Sequence, residues 1–189
     1  EINEVKDHGI IGIGLGGSEN DFPPELFVDL FEKARDYGFK TTAHAGEAAG
    51  ADSIWKAIKL LRVDRFGHGT RAIEDDKLLD SLSVHKIPIE LCPISNLRTK
   101  VIKSMEEHPF KLFHEKKIPV SINTDDPKMF NTSLAEEYQA LSEAFSLNKE
   151  EMYTIMINTQ PTTWLKNEEK EKLIYEFENE LGITKQNKY

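Results

Sequence analysis

Short apolar strands alternate with amphipathic helical segments along this chain, and that alternation leaves few folds open to it. Ile10–Leu15 reads as a strand and Gly16-Gly17-Ser18 as the turn after it. Pro23-Pro24 suits a helix start, and Leu26, Phe27, Leu30, Phe31 and Ala34 then recur at helical spacing until Gly38 stops the helix. The unit repeats. Phe39–Ala43 is followed by a helix over about Asp52–Leu61, Asp64–Gly67 by Asp75–Val84, and Ile87–Leu91 by Pro109–Lys116. The fifth strand is Ile118–Asn123; Ser133–Phe145 and Lys149–Asn158 then read as helices, the second led by Ser146-Leu147-Asn148. Strand starts fall roughly 25 to 30 residues apart, the pattern of βαβ units and a parallel sheet.

Two α/β architectures fit. An open doubly wound sheet would be complete with five strands, whereas a (β/α)8 TIM barrel would require three further units. The polar residues at strand ends favour the barrel. His44, His68 and Asp125 follow the second, third and fifth strands. In a flat sheet in sequential order the second and fifth strands would stand about 14 Å apart, too far for two ligands of one metal. Closing the sheet turns every strand end toward one axis, where barrel active sites are built.

Composition narrows the partners. The 189 residues carry 24 basic and 33 acidic side chains for a net charge of −9, which argues against nucleic acid or an anionic membrane as partner. No apolar run is long enough to span a bilayer, and no charged-then-apolar leader is present, so a cytoplasmic location is expected. One cysteine, Cys92, excludes an internal disulfide and thiolate-rich zinc sites, and reads as a buried strand residue. The chain is read as a single domain over 1–189, with barrel units over about 10–145 and C-terminal helices over about 146–189. Asn167–Tyr189 mixes both charges and reads as a solvated helix with a frayed end. Glu1–Val5 lacks an initiator Met and is expected to run directly into a strand inside a longer protein.

The chemistry centres on Thr41-Thr-Ala-His44-Ala-Gly-Glu47-Ala-Ala-Gly50. A neutral imidazole binds zinc and a nearby carboxylate moves protons, while Ala45, Gly46, Ala48, Ala49 and Gly50 leave room for a planar ligand. Chance loop polarity is the bland alternative. His68 lies between Gly67 and Gly69, an opening for ligand or water, although a core histidine bonded to a carbonyl would look the same. Asp125-Asp126 could cap a helix, yet adjacent like charges repel unless a cation or donor receives them. Gly12-x-Gly14-x-Gly16 lacks the nucleotide-loop spacing. His8, His85, His108 and His114 read as surface residues.

Four motifs in register, Thr42-Ala-His44-Ala-Gly-Glu47, Arg65-Phe-Gly-His68-Gly, Cys92-Pro-Ile-Ser-Asn96 and Ser121-Ile-Asn-Thr-Asp125-Asp126-Pro127, resemble the adenosine deaminase family of zinc aminohydrolases from about Ile10 to Trp164. The resemblance implies a (β/α)8 barrel and roles position by position. His44 and Asp125 look like two zinc ligands, and Glu47 like the acid that protonates the purine ring nitrogen beside the carbon under attack. His68 looks like the base that orients the attacking water and takes its proton. Asp126 would accept a hydrogen bond from the purine, and Gly17 would donate its backbone N–H to a ring nitrogen. The implied reaction is hydrolytic deamination of a 6-aminopurine, with adenosine the first choice and adenine or aminodeoxyfutalosine the alternatives.

The family takes two further zinc ligands from a His-x-His pair on its first strand, and no His-x-His occurs in these 189 residues. The chain therefore reads as strands four to eight, needing the N-terminal segment of the same protein as a partner and expected to be inactive alone. An open barrel edge would also invite aggregation. The cysteine count sets it apart from zinc deaminases with a PCxxC signature. A binding protein that has kept the fold without turnover is the alternative from another class.

Overall fold

The computed structural model describes residue 4 and residues 8–180. Its five strands, β1 (Gly12–Leu15), β2 (Lys40–Ala45), β3 (Arg65–His68), β4 (Ile89–Leu91) and β5 (Val120–Ile122), are all parallel and stand in sequence order. A doubly wound sheet reverses direction at a switch point, whereas this sheet advances one way only, as a sector of a (β/α) barrel does. β1 and β5 each have one neighbour among the described residues. The expected strand entry at Glu1–Val5, Glu4 apart, and the expected end beyond residue 180 lie outside the described residues.

Helices follow the strands where periodicity and cap residues place them. A 3₁₀ turn opened by Pro24 leads into α1 (Val28–Asp36), and α2 (Ala51–Lys56) runs on into a π-helical turn, Ala57–Leu61. α3 (Asp76–His85) is capped by Asp75, whose side chain accepts from the N–H groups of Lys77 and Leu78. After β4 comes α4 (Pro93–Arg98), six residues over part of the stretch that reads as a loop in the sequence, with Pro93 in its first turn. Then follow α5 (Phe110–Glu115), α6 (Leu134–Phe145), α7 (Lys149–Asn158) and α8 (Asn167–Glu180). Asn148 and Glu151 close a capping box at α7, so its sequence-read start is also its start in space.

The two faces of the sheet differ. Along β2, Thr41, Ala43 and Ala45 are buried on the helix side, where Phe31, Ile54, Phe66, Leu78 and Leu82 pack. Thr42 and His44 occupy the opposite, concave face, and register adds Arg65, Gly67, Glu90 and Ser121 to it. Thr42 donates its hydroxyl to Glu90 at 3.2 Å, and Arg65 Nε lies 3.0 Å from the same carboxylate. The Arg65 guanidinium also stacks 3.8 Å from the Trp164 ring centre and donates to the Thr162 carbonyl at 2.9 Å, tying the segment after α7 to the start of β3.

One surface expectation fails. His108 is buried at 3% exposure, its Nδ1 accepting the Phe110 N–H at 3.1 Å. Burial lowers its pKa to about 3, so it is neutral. The polar run Glu106-Glu107-His108 gave no sign of this, because the burial comes from tertiary packing. His8 and His85 are exposed and His114 is half-buried against Phe110. No described helix is long and apolar enough to cross a membrane.

Candidate active site

His44 is the penultimate residue of β2, one step inside the strand instead of after it, and its ring is exposed on the concave face. The chain then turns sharply at Gly46, where φ is 74°. A Cβ at Gly46 would stand 2.4 Å from Ile54 Cδ1, so this glycine makes room for the core and not for a ligand. The turn carries Glu47 to the mouth of the concave face. Burial above all, then the charges of Asp125 and Glu19, raise the Glu47 carboxyl to about 7.

His68 pairs with Ala45 in register, and plain strand alternation would send both side chains into the core. A left-handed φ of 64° breaks the alternation and brings the His68 ring to 4.7 Å from that of His44, nearly edge-on. Nδ1 of His68 lies 3.4 Å from Glu47 Oε1. Asn96, buried in α4, points its side-chain amide at both, 3.2 Å from His68 Nδ1 and 3.3 Å from Glu47 Oε1. Burial, then the neighbouring His44, lower the His68 pKa to about 4, which leaves it neutral and able to accept a proton. Gly69 does not open an approach to this ring, since a Cβ there would strike Phe66 at 2.6 Å and Ile89 at 2.9 Å.

Asp125 also has a left-handed φ, 57°, just past β5. Most other non-glycine residues in this conformation sit at or just beyond helix ends, which makes the two strand-end cases unusual. Ser95 donates its hydroxyl to Asp125 Oδ2 at 2.7 Å and fixes the carboxylate. Asp126 is exposed, and its Oδ1 accepts the N–H groups of Lys128 and Met129 at 3.0 and 2.8 Å. No helix starts here: these N–H groups belong to a turn over 127–131, and the next helix, α6, is capped by Ser133. Gly17, with φ 109°, and Gly16 border His44 from the loop after β1.

Several residues here carry no role in the sequence reading. Glu19 accepts hydrogen bonds from the backbone N–H groups of Gly46, Glu47, Ala48 and Ala49. Glu137 of α6 is fully buried and accepts the Ile94 N–H at 2.9 Å, securing the start of α4 that carries Ser95 and Asn96. Asn96 ends the Cys92-Pro-Ile-Ser-Asn96 motif, which is its local signal; Glu19 and Glu137 stand where the sequence carries none.

Among the described residues, ligand atoms of His44, Glu47 and His68 lie within 4.8 Å of one another, as do those of His68, Cys92 and Asp125. An imidazole and a carboxylate are donors that zinc takes; His44 and Asp125 offer them from two different groups, which share His68. Cys92 fits less well, because burial, then Asp125, hold its thiol protonated. A cleft of about 450 Å³ over the concave face takes in His44, His68 and Asp125 together with Thr42, Glu90 and Asn123.

A polar concave face under the strand ends of a barrel sector, with imidazoles and carboxylates converging there, is the site layout of the metal-dependent barrel class. Comparison with known proteins makes this specific. The adenosine deaminase family pattern matches residues 2–180, and the chain belongs to that family. An adenosine deaminase from Klebsiella pneumoniae (strain 342) is 42% identical over 166 residues, which are 88% of this chain and 50% of the relative. Among solved structures, adenine deaminase from Arthrobacter aurescens superposes with a TM-score of 0.90 at 27% identity, covering 96% of this chain and 56% of the other. A zinc-bound amidohydrolase from Burkhoderia ambifaria gives 0.86 at 26%, covering 96% and 52%. The chain spans about half the length of the curated relatives it matches. Its five units correspond to half of an amidohydrolase barrel.

Proposed function

We propose that this chain supplies the acid, the base and two zinc ligands of a hydrolase that converts adenosine to inosine and ammonia. The carrying observation is the Glu47–His68 pair, 3.4 Å apart beside His44, with the carboxyl raised to about 7 and the imidazole lowered to about 4. At neutral pH this inverted order leaves a proton available on Glu47 and a vacant acceptor on His68.

His44 and Asp125 would hold the zinc ion, which when bound supplies the Lewis acidity that makes water a nucleophile at neutral pH. His68 orients the attacking water and takes its proton. Glu47 protonates the ring nitrogen next to the amino-bearing carbon, and that nitrogen receives the C=N π pair displaced as the C–O bond forms. The amino group then takes the proton held by His68 and leaves as ammonia, while the added hydroxyl returns a proton to Glu47 as the carbonyl forms. Gly17 donates its N–H to a second ring nitrogen and Asp126 stands at the opposite edge of the purine, orienting the plane.

His44 and Asp125 are fewer than the three or more protein ligands that catalytic zinc requires, so the remaining ligands come from outside these 189 residues and the chain alone does not turn over. The single cysteine agrees with the cytoplasm as its compartment. Adenine is the second substrate reading, favoured by the Arthrobacter aurescens likeness. The test is zinc content and ammonia release by the full-length protein with adenosine, adenine and aminodeoxyfutalosine. Release from adenosine at the highest kcat/KM supports the reading, and zinc binding without release from any of them overturns it in favour of a binding protein.

A further inference from the structure

Glu19 lies two residues beyond Gly17 in the loop after β1, and its carboxylate reaches across to another loop. Oε1 accepts the N–H of Gly46, and Oε2 accepts those of Glu47, Ala48 and Ala49 at 3.1, 2.8 and 3.0 Å. Four successive amides converging on one carboxylate form an anion-receiving nest, and here the chain fills it with its own side chain. Such bonds to a charged acceptor are about twice as strong as neutral ones. The half-buried Glu19 carboxyl is held below the usual range: burial opposes ionisation, and the Ala49 N–H, the Ser53 side chain and the Gly46 and Ala48 N–H groups together outweigh it.

We infer that Glu19 is a positioning residue for Glu47: it locks the loop 46–49 so that the Glu47 carboxyl is held at His68 and Asn96, and ties that loop to the one carrying Gly17. The inference rests on Glu47 being the acid, as proposed above. The geometry has few substitutes. Gly46 at φ 74° starts the nest, and the loop's own side chains at 45, 48 and 49 are methyl groups that cannot hold it. Without the carboxylate the four N–H groups would turn to water, and the Glu47 side chain would lose its fixed starting point. A neutral amide at position 19 presents one accepting oxygen and one NH₂, and the NH₂ faces donors.

The role is read from kcat and KM with adenosine in the full-length zinc-loaded enzyme, per mole of bound zinc. Glu19→Gln is expected to lower kcat about tenfold to a hundredfold with KM within about threefold. It is also expected to cost little in a Glu47→Gln background, because a group that acts through Glu47 has nothing left to position. An unchanged kcat, or the same fractional loss in both backgrounds, would overturn the inference and leave Glu19 a purely structural brace. If Glu19→Gln does not fold, Glu19→Asp, which keeps the charge but shortens the reach, is put through the same cycle with the same two readings. Wild-type turnover by Glu47→Gln alone would instead contradict the role given to Glu47, so the two failures are told apart.

Discussion

Oε1 of Glu47 lies 3.4 Å from Nδ1 of His68, and the Asn96 amide points at both. Neither group has its ordinary proton affinity. Burial raises the acid to about 7 and lowers the base to about 4, so at neutral pH the carboxyl can carry a proton that the imidazole does not. Local charge would predict an ion pair here; desolvation favours the neutral form of both groups instead.

Replacing the acid removes that function without touching the zinc donors. Glu47→Gln in the full-length enzyme is expected to retain zinc and lose at least about a hundredfold in kcat, the usual scale for a positioned proton donor. Metal analysis and steady-state ammonia release check it; unchanged turnover would show that the proton comes from elsewhere.

Asn96 makes a separate test because it touches the pair and no proposed zinc ligand. Truncation in Asn96→Ala removes a donor from Glu47 and a partner from His68, with an expected tenfold to hundredfold loss in kcat/KM. Full activity in this variant would mean that the Glu47–His68 geometry needs no support from α4.

Gly46 is constrained by both its backbone and its surroundings. Gly46→Ala would force a side chain into φ 74° and place its Cβ 2.4 Å from Ile54 Cδ1. The expected cost is roughly 2–4 kcal/mol from left-handed strain plus overpacking. Adding Ile54→Val, which removes Cδ1 but keeps Cγ1 at 2.6 Å, should recover part of it in a denaturation midpoint; no recovery would place the cost in backbone strain and the remaining Cγ1 contact.

His108 gives the fold an acid sensitivity of calculable sign. Its pKa is about 3 folded against 6.5 for an ordinary histidine, so between these values the unfolded chain binds the extra proton. Stability from this group is present in full above about pH 6.5 and is lost as pH falls toward 3, amounting to about 2 kcal/mol by pH 5. Urea midpoints of the wild type and His108→Gln at pH 7 and 5 test this. The variant should lose about that much less on acidification; equal losses would contradict a buried neutral His108.

The fold was largely legible because its signals are local and repeated. Apolar runs marked the five strands, and Ser146-Leu147-Asn148 marked the start of α7, where Asn148 is the cap. Strand ends were set one or two residues wrong. α4 went unread because Pro93–Arg98 follows β4 almost directly and carries only Ile94 and Leu97 as apolar residues after its proline, whereas α5, of equal length, has Phe110, Leu112 and Phe113. At the site, residue types gave His44, Glu47, His68 and Asp125 as candidates, whereas their arrangement depended on things no local pattern carries. The left-handed φ at His68 decides which way its ring faces. Glu19 meets its four amides across 27 to 30 positions of sequence, and Glu137 sits at what reads as an ordinary polar position of a helix. Glycines misled for the same reason: Gly46 and Gly69 serve Ile54, Phe66 and Ile89 in the core and do not widen the site.

The most direct measurement is ammonia release from adenosine by the full-length zinc-loaded protein, compared with the same protein carrying Glu47→Gln. The expected result is stoichiometric inosine and ammonia from the wild type and at least a hundredfold less from the variant at equal zinc content. Bound zinc with no ammonia from adenosine, adenine or aminodeoxyfutalosine would contradict the assignment of this site to deamination.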